Sequence, residues 1–366
     1  MIPFIDLKAQ YRNIKPEVDA AIAQVLESCQ FTLGHEVAAF EQEFATHCHT
    51  NYGIGVNSGT SALHLALLAA NIGVGDEVIT VPFTFVATVA AIQYTGAKPI
   101  FVDIHPESFT IDVTQIEKAI TPRTKAILPV HLYGQVADMD PILALAKHYG
   151  LTVIEDAAQA HGAEYKARRV GGLADLGCFS FYPGKNLGAY GEGGMVVTNN
   201  LEYANKIRML RDWGQERKYH HLLKGYNYRL EGIQGAILRV KLRYLDRWTE
   251  ARRAIAAHYH QTLTDTAVKL PTEMPYNRHV YHIYAIRTAH QDSLQAFLQQ
   301  QAIQTGIHYP IPVHLMPAYA DLGYRKGDFP HAEQAAAEVL SLPMYAELTK
   351  NQVAEVATAI LAFTSN

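Results

Sequence analysis

Cysteine is scarce. Cys29, Cys48 and Cys178 are the only three in 366 residues, an odd number at spacings that fit neither a disulfide framework nor a zinc site. A reducing compartment is expected, with the cytoplasm as the default. Basic excess is missing too: the formal net charge is -4 and the pI is near 6.5. No general field therefore favours nucleic acid or an anionic membrane surface, and any phosphate must be held locally. No apolar run approaches the roughly 18 residues of a membrane span. Met1-Ile2-Pro3-Phe4-Ile5-Asp6 lacks the basic region and apolar core of an export signal. Neither export nor membrane insertion is expected. The 18 histidines do not make a metal site. His47, Cys48 and His49 are too close to converge on one ion from a helix, and His220-His221 brings no partner set, so no metal is expected.

What is present is a chain that is 49% hydrophobic and 18% charged, enough for one large core and a smaller second one. From about residue 52 to 200, β-branched runs alternate with helical periods, the pattern of a mainly parallel sheet covered by helices. The expected strands are 52–56, 77–81, 99–103, 126–130, 152–155, 178–181 and 194–198. Helices are expected at 60–70 and 138–149, and amphipathic ones at 16–29 and 36–48 after an extended arm. Beyond about 245 the pattern changes to a charged helix at 247–263, an alternating strand at 279–287 and a helix at 293–300. The expectation is an α/β large domain with its arm at 1–245 and a smaller α+β domain at 246–366.

Two glycine-rich stretches imitate nucleotide motifs and fail on spacing. Gly53 to Gly59 has one residue too many in its last gap for a dinucleotide fingerprint. Gly177 to Lys185 has six residues between its glycines, and Asn186 stands where a P-loop needs Ser or Thr for magnesium.

Three other segments carry chemistry. In Phe179-Ser180-Phe181-Tyr182-Pro183-Gly184-Lys185-Asn186-Leu187-Gly188, a strand runs into a lysine set among glycines. Alone it reads as an ordinary loop lysine. Upstream, Glu155-Asp156-Ala157-Ala158-Gln159-Ala160-His161-Gly162 puts two carboxylates at the end of an apolar strand, where ligands of such sheets bind. Asp156 there can pair with a pyridinium nitrogen or merely cap a helix. Asn57-Ser58-Gly59-Thr60-Ser61 opens a helix, and its free amides and dipole suit a phosphate as well as they suit simple capping.

Together with Gly225-Tyr226-Asn227-Tyr228-Arg229-Leu230 and the Pro3-Phe4-Ile5-Asp6-Leu7 arm, these motifs occur in the order seen in the StrS/DegT family, which the chain resembles over nearly its whole length. That family comprises nucleotide-sugar aminotransferases of fold type I that use pyridoxal 5'-phosphate. The resemblance implies Lys185 as the Schiff-base lysine, Asp156 as the pyridinium partner and Gln159 beside the ring hydroxyl. It also implies Phe85 stacked on the ring and Gly59, Thr60 and Ser180 on the phosphate, with Asn227 reaching the phosphate from a neighbouring subunit of a homodimer. Tyr182, Arg229, His308, Tyr309 and His314 are the implied candidates for the sugar nucleotide. Glutamate is the implied amino donor, with ping-pong kinetics. Relatives that dehydrate the sugar carry a histidine in place of this lysine, so Lys185 favours amino transfer. The look is closest to enzymes that aminate carbon 3 of dTDP-3-keto-6-deoxyhexoses; a UDP-linked 3-keto or 4-keto sugar, a dehydratase and a non-catalytic sensor are the alternatives.

Overall fold

Seven short strands form one sheet in the order Tyr52–Val56, Gly194–Thr198, Leu176–Ser180, Thr152–Asp156, Thr124–Ile127, Glu77–Thr80 and Lys98–Phe101. The structure is a computed structural model that describes residues 1–364; Ser365 and Asn366, the end of the second domain as read from sequence, lie outside the described residues. Pairing is parallel throughout the run from Leu176–Ser180 to Lys98–Phe101. Gly194–Thr198 alone runs the other way, antiparallel to both of its neighbours. A strand buried on both faces needs apolar residues at consecutive positions, and Glu77–Thr80 and Gly194–Thr198 are buried at every position.

Helices cover the sheet. Gly59–Ala69 is capped by the Ser58 hydroxyl, which accepts from Ser61 N–H, and nine of its eleven residues are buried, so it is a core helix and not an amphipathic one. Met139–Tyr149 ends on Gly150 in the left-handed conformation, as the sequence indicates. One apolar cluster joins the sheet to these helices. A second is built from the C-terminal half of Leu245–Leu263, the antiparallel pair Tyr284–Arg287 and Val339–Leu342, and Lys350–Thr364. A third, small one joins Ile14 and Val18 to Ile237, Val240 and Trp248.

The structure corrects three expectations. The first helix is Leu7–Ser28, nine residues longer at its start than expected, with Pro16 inside it. Its start signal is Asp6, whose carboxylate accepts from Ala9 N–H, and not the proline. The arm before it is thus six residues long. The alternating stretch 279–287 is a strand only over Tyr284–Arg287, because Tyr281 takes a positive φ of 44° that breaks the extended run. The strand expected at 126–130 is shifted to Thr124–Ile127, and Val130 retains only an isolated bridge to Asp156.

Candidate active site

The carboxyl ends of Thr152–Asp156 and Leu176–Ser180 meet the N-terminus of Gly59–Ala69. Side chains alternate across a strand, so Glu155 and Asp156 go to opposite faces. Glu155 is fully buried and accepts from the amides of Gly171 (2.9 Å), Leu173 (3.0 Å) and Ala174 (3.0 Å), with His131 Nε2 at 3.1 Å. It is committed to holding that loop. Asp156 Oδ2 accepts from Thr88 Oγ1 at 2.8 Å and Oδ1 from Ala158 N–H at 3.2 Å. Burial raises the Asp156 carboxyl, while the Thr88 hydroxyl, the Ala158 amide, Lys185 and His131 pull it back.

Lys185 follows in the turn after Leu176–Ser180. Burial pushes its ammonium down to about 8, with the Asp156 charge opposing. That range keeps a usable fraction of free amine near neutrality. The turn is pinned by Lys185 N–H on Tyr182 O (2.9 Å) and Ala189 N–H on Phe181 O (2.8 Å). Asn186 Nδ2 adds a bond to Val280 O (3.1 Å), and its Oδ1 lies 3.2 Å from His282 Nδ1.

Gln159 uses both ends of its amide: Oε1 accepts from Tyr133 N–H (2.8 Å) and Nε2 donates to Tyr309 Oη (2.9 Å). Tyr309 lies against Phe85, with ring centroids 5.7 Å apart, and Phe85 is half exposed. His308 stacks on Phe4 and meets Ser341 Oγ at 2.9 Å; burial and the nearby Lys185 hold it down to about 4. Gly59 is packed so closely on Ser180 that an added Cβ would sit 2.6 Å from the Ser180 Cβ. Ser58 takes the Ser61 amide, which leaves the first helical amides, of Gly59 and Thr60, without an intrahelical acceptor.

The expected residues therefore separate into groups. Asp156, Gln159, Phe85, Tyr309, His308 and Lys185 are linked by direct contact or by charge coupling, and Gly59, Thr60 and Ser180 form an amide-lined corner. Tyr182 is exposed, next to Ser180, whose Oγ accepts from its N–H at 3.3 Å. Asn227 is exposed and bridges to Asp212 through its backbone. Arg229 pairs with Asp212 at 2.9 Å and bridges to Val56 by its backbone, and none of its hydrogen bonds reaches the Asp156 group. His314 is buried, holds Glu333 at 3.1 Å and packs edge-on to Phe329, so it belongs to the packing around Pro330–Glu338.

Sequence reasoning missed Thr88, Tyr133 and His282. None of them carries a local signal: Thr88, on Ala87–Tyr94, is tied to Thr84 (hydroxyls 2.9 Å apart) and to Asp156 only by the fold.

Comparison with known proteins defines the class. The family model described as DegT/DnrJ/EryC1/StrS aminotransferase matches residues 12–361. A protein of Geobacillus stearothermophilus named pleiotropic regulatory protein is 50% identical over 99% of this chain and 98% of its own length. The dTDP-3-amino-3,4,6-trideoxy-alpha-D-glucose transaminase of Streptomyces venezuelae is 48% identical over 98% of this chain and 95% of its own. Among solved structures, S. venezuelae DesV in complex with a ketimine intermediate superposes with a TM-score of 0.98 at 47% identity, covering 100% of this chain and 99% of that one. The chain belongs to the DegT/DnrJ/EryC1/StrS aminotransferase family and has the fold type I architecture. It is a pyridoxal-phosphate-dependent sugar aminotransferase.

Proposed function

We propose that the chain moves an amino group from glutamate to a nucleotide-linked 3-keto sugar, a dTDP-3-keto-6-deoxyhexose being the reading its relatives' names favour. The observation that carries the site is the buried Asp156 at its strand end, charge-coupled to Lys185, whose ammonium burial pushes down to about 8.

The residues fit the cofactor. Each Asp156 oxygen accepts one hydrogen bond and keeps a free lone pair, and a buried carboxylate gains from a cationic ring nitrogen. Gln159 retains one amide N–H beyond the one given to Tyr309, which suits the ring hydroxyl. Phe85 offers a half-exposed face, and the Gly59, Thr60 and Ser180 corner offers amides and a hydroxyl to a phosphate. Bound there, pyridoxal phosphate supplies the electron sink that makes loss of the donor's α-proton tolerable. Lys185 would hold the cofactor covalently and, as a free amine, would take up and return that proton at its Nζ. Asp156 keeps the ring nitrogen protonated while it does so. Running the same transfers in reverse on the sugar ketone gives ping-pong kinetics.

Tyr182, His308 and Tyr309 at the same recess are the favoured sugar-nucleotide contacts, with Arg229 on the Asn227 segment. Asn227 is exposed beside the exposed Trp213, which supports a homodimer in which it serves a second copy's phosphate. The division at 1–245 and 246–366 is part of the proposal: a second apolar cluster gathers residues from Ile255 to Ile360 with Ile2 of the arm, while Val280, Val313 and Val339 pack into the main cluster. The cytoplasm is the proposed location.

The deciding experiment is a visible spectrum with pyridoxal phosphate before and after glutamate, in the wild type and in Lys185→Ala. Loss of the lysine-linked band with release of 2-oxoglutarate is expected, and Lys185→Ala should bind the cofactor without covalent attachment or turnover. A band that glutamate leaves unchanged overturns the donor. Near wild-type turnover in Lys185→Ala overturns the catalytic assignment. The name of the Geobacillus relative, a pleiotropic regulatory protein, favours a second reading, a regulatory role without catalysis; such a chain would release no 2-oxoglutarate.

A further inference from the structure

A lysine outside that site is fully buried in the molecule. Lys241, in the last turn of Gly232–Leu242, has no exposed surface. None of the ion pairs of the described residues includes it. Its Nζ donates to the carbonyl of Gly188 and lies 4.9 Å from the ring centroid of Tyr190. Both partners are neutral, and both belong to the turn that begins at Lys185.

A lysine ammonium taken out of water without a carboxylate partner is costly, and its place invites an apolar replacement. The small cluster of Ile14, Val18, Ile237, Val240 and Trp248 includes residues of the same helix, with Tyr190 and Ala346 packed against it. Burial pushes Lys241 down to about 7, opposed only by Glu347, so the cost of holding the charge is partly expressed as a shift. Arg252 on Leu245–Leu263 shares Glu347's field but spends its guanidinium on the carbonyls of Tyr281 and Met344.

The ammonium's contacts fall on one short segment. The same helix also grips that segment through Gln234 Oε1, which accepts from Tyr190 N–H at 2.9 Å. Gly188 is wedged so tightly under Pro183 O that a Cβ would lie 2.3 Å from it. Pulling on the Gly188 carbonyl therefore acts on a turn with little slack between residues 183 and 190.

We propose that Lys241 is a positioning residue for the reaction: its ammonium holds the Gly188 carbonyl and thereby fixes where the turn presents the Lys185 amine. This rests on the reading of Lys185 as the cofactor-bearing lysine. The test compares Lys241→Met with Lys241→Gln, which keeps a hydrogen-bond donor without the charge. Each variant is measured for the melting temperature of the apoprotein, the rate at which pyridoxal phosphate enters a link to Lys185 that borohydride reduces and traps, and kcat and KM for both substrates. The methionine variant should melt at or above the wild-type temperature. Its rate of attachment and its kcat should fall by about tenfold or more, the scale of one charge-assisted hydrogen bond, with KM for the sugar nucleotide little changed. The glutamine variant should recover most of both losses.

Wild-type attachment and kcat in Lys241→Met would overturn the proposal. So would failure of that variant to fold, because the fold would then be what needs the ammonium. A fall in stability matching the fall in kcat, with no recovery by glutamine, would overturn it equally. Failure of the underlying reading shows separately, as borohydride trapping in the wild type at a residue other than Lys185.

Discussion

Thr88→Val should weaken the site without disturbing its shape. Valine nearly matches threonine in volume, and Thr88 is fully buried, so the substitution removes one hydroxyl and little else. That hydroxyl lies 2.8 Å from Asp156 Oδ2 and 2.9 Å from Thr84 Oγ1. A hydrogen bond to a charged group contributes about 1.5–3 kcal/mol, and each 1.4 kcal/mol or so is a factor of ten. The dissociation constant for pyridoxal phosphate, measured by equilibrium dialysis, should rise about 10- to 100-fold, with kcat falling over the same range. Thr88→Ser should restore both. The pH dependence has a definite sign. Burial raises the folded Asp156 pKa above its unfolded value, so this group costs stability increasingly as pH climbs past the ordinary carboxylate range. Thr88 offsets part of that cost. The apoprotein of Thr88→Val should therefore be destabilised more at neutral pH than in mild acid, as read from urea titrations. Cofactor affinity and kcat within twofold of wild type, or a larger destabilisation in acid, would refute the argument.

Gly59→Ala should force the helix start away from Ser180, because the new methyl meets the Ser180 Cβ at 2.6 Å; cofactor affinity should drop about tenfold or more, in line with overpacking costs of about 1–3 kcal/mol, and dialysis checks it. His314→Ala should cost about 1–3 kcal/mol of stability through the lost Glu333 bond, while kcat/KM for the sugar nucleotide stays within about twofold. Arg229→Ala should raise KM for the sugar nucleotide and leave the cofactor spectrum unchanged; an unchanged KM places Arg229 outside the site and leaves it a brace for Asp212.

Much of the fold was legible because its signals are local. Six of the seven expected strands lie on the observed ones to within two residues at either end, and the helix beginning at Gly59 is announced by its Ser58 cap. The antiparallel run of Gly194–Thr198 was not legible, since side-chain alternation is the same whichever way a strand points. Asp156 stood out as a carboxylate at a strand end and Lys185 as a lysine among glycines, while Gln159 was implied only by the family resemblance. Thr88 did not, because its partner is 68 residues away and a hydroxyl in an apolar helix has no charge to advertise it. His308 and His314 read alike in one loop; the difference between them is Glu333, which reaches His314 from a helix later in the chain. A lysine near a helix C-terminus ordinarily favours the dipole and stays wetted by solvent, so nothing local announces the burial of Lys241.

The neighbouring carboxylates at 155 and 156 act as a registration mark. A slip of one position in Thr152–Asp156 would turn the shorter acid away from the recess and deliver the longer one into it. In the same movement, the amides of Gly171, Leu173 and Ala174 would lose their common acceptor. Catalysis and the closing of that loop are thus read from a single frame. An insertion or deletion in this strand would disable both at once.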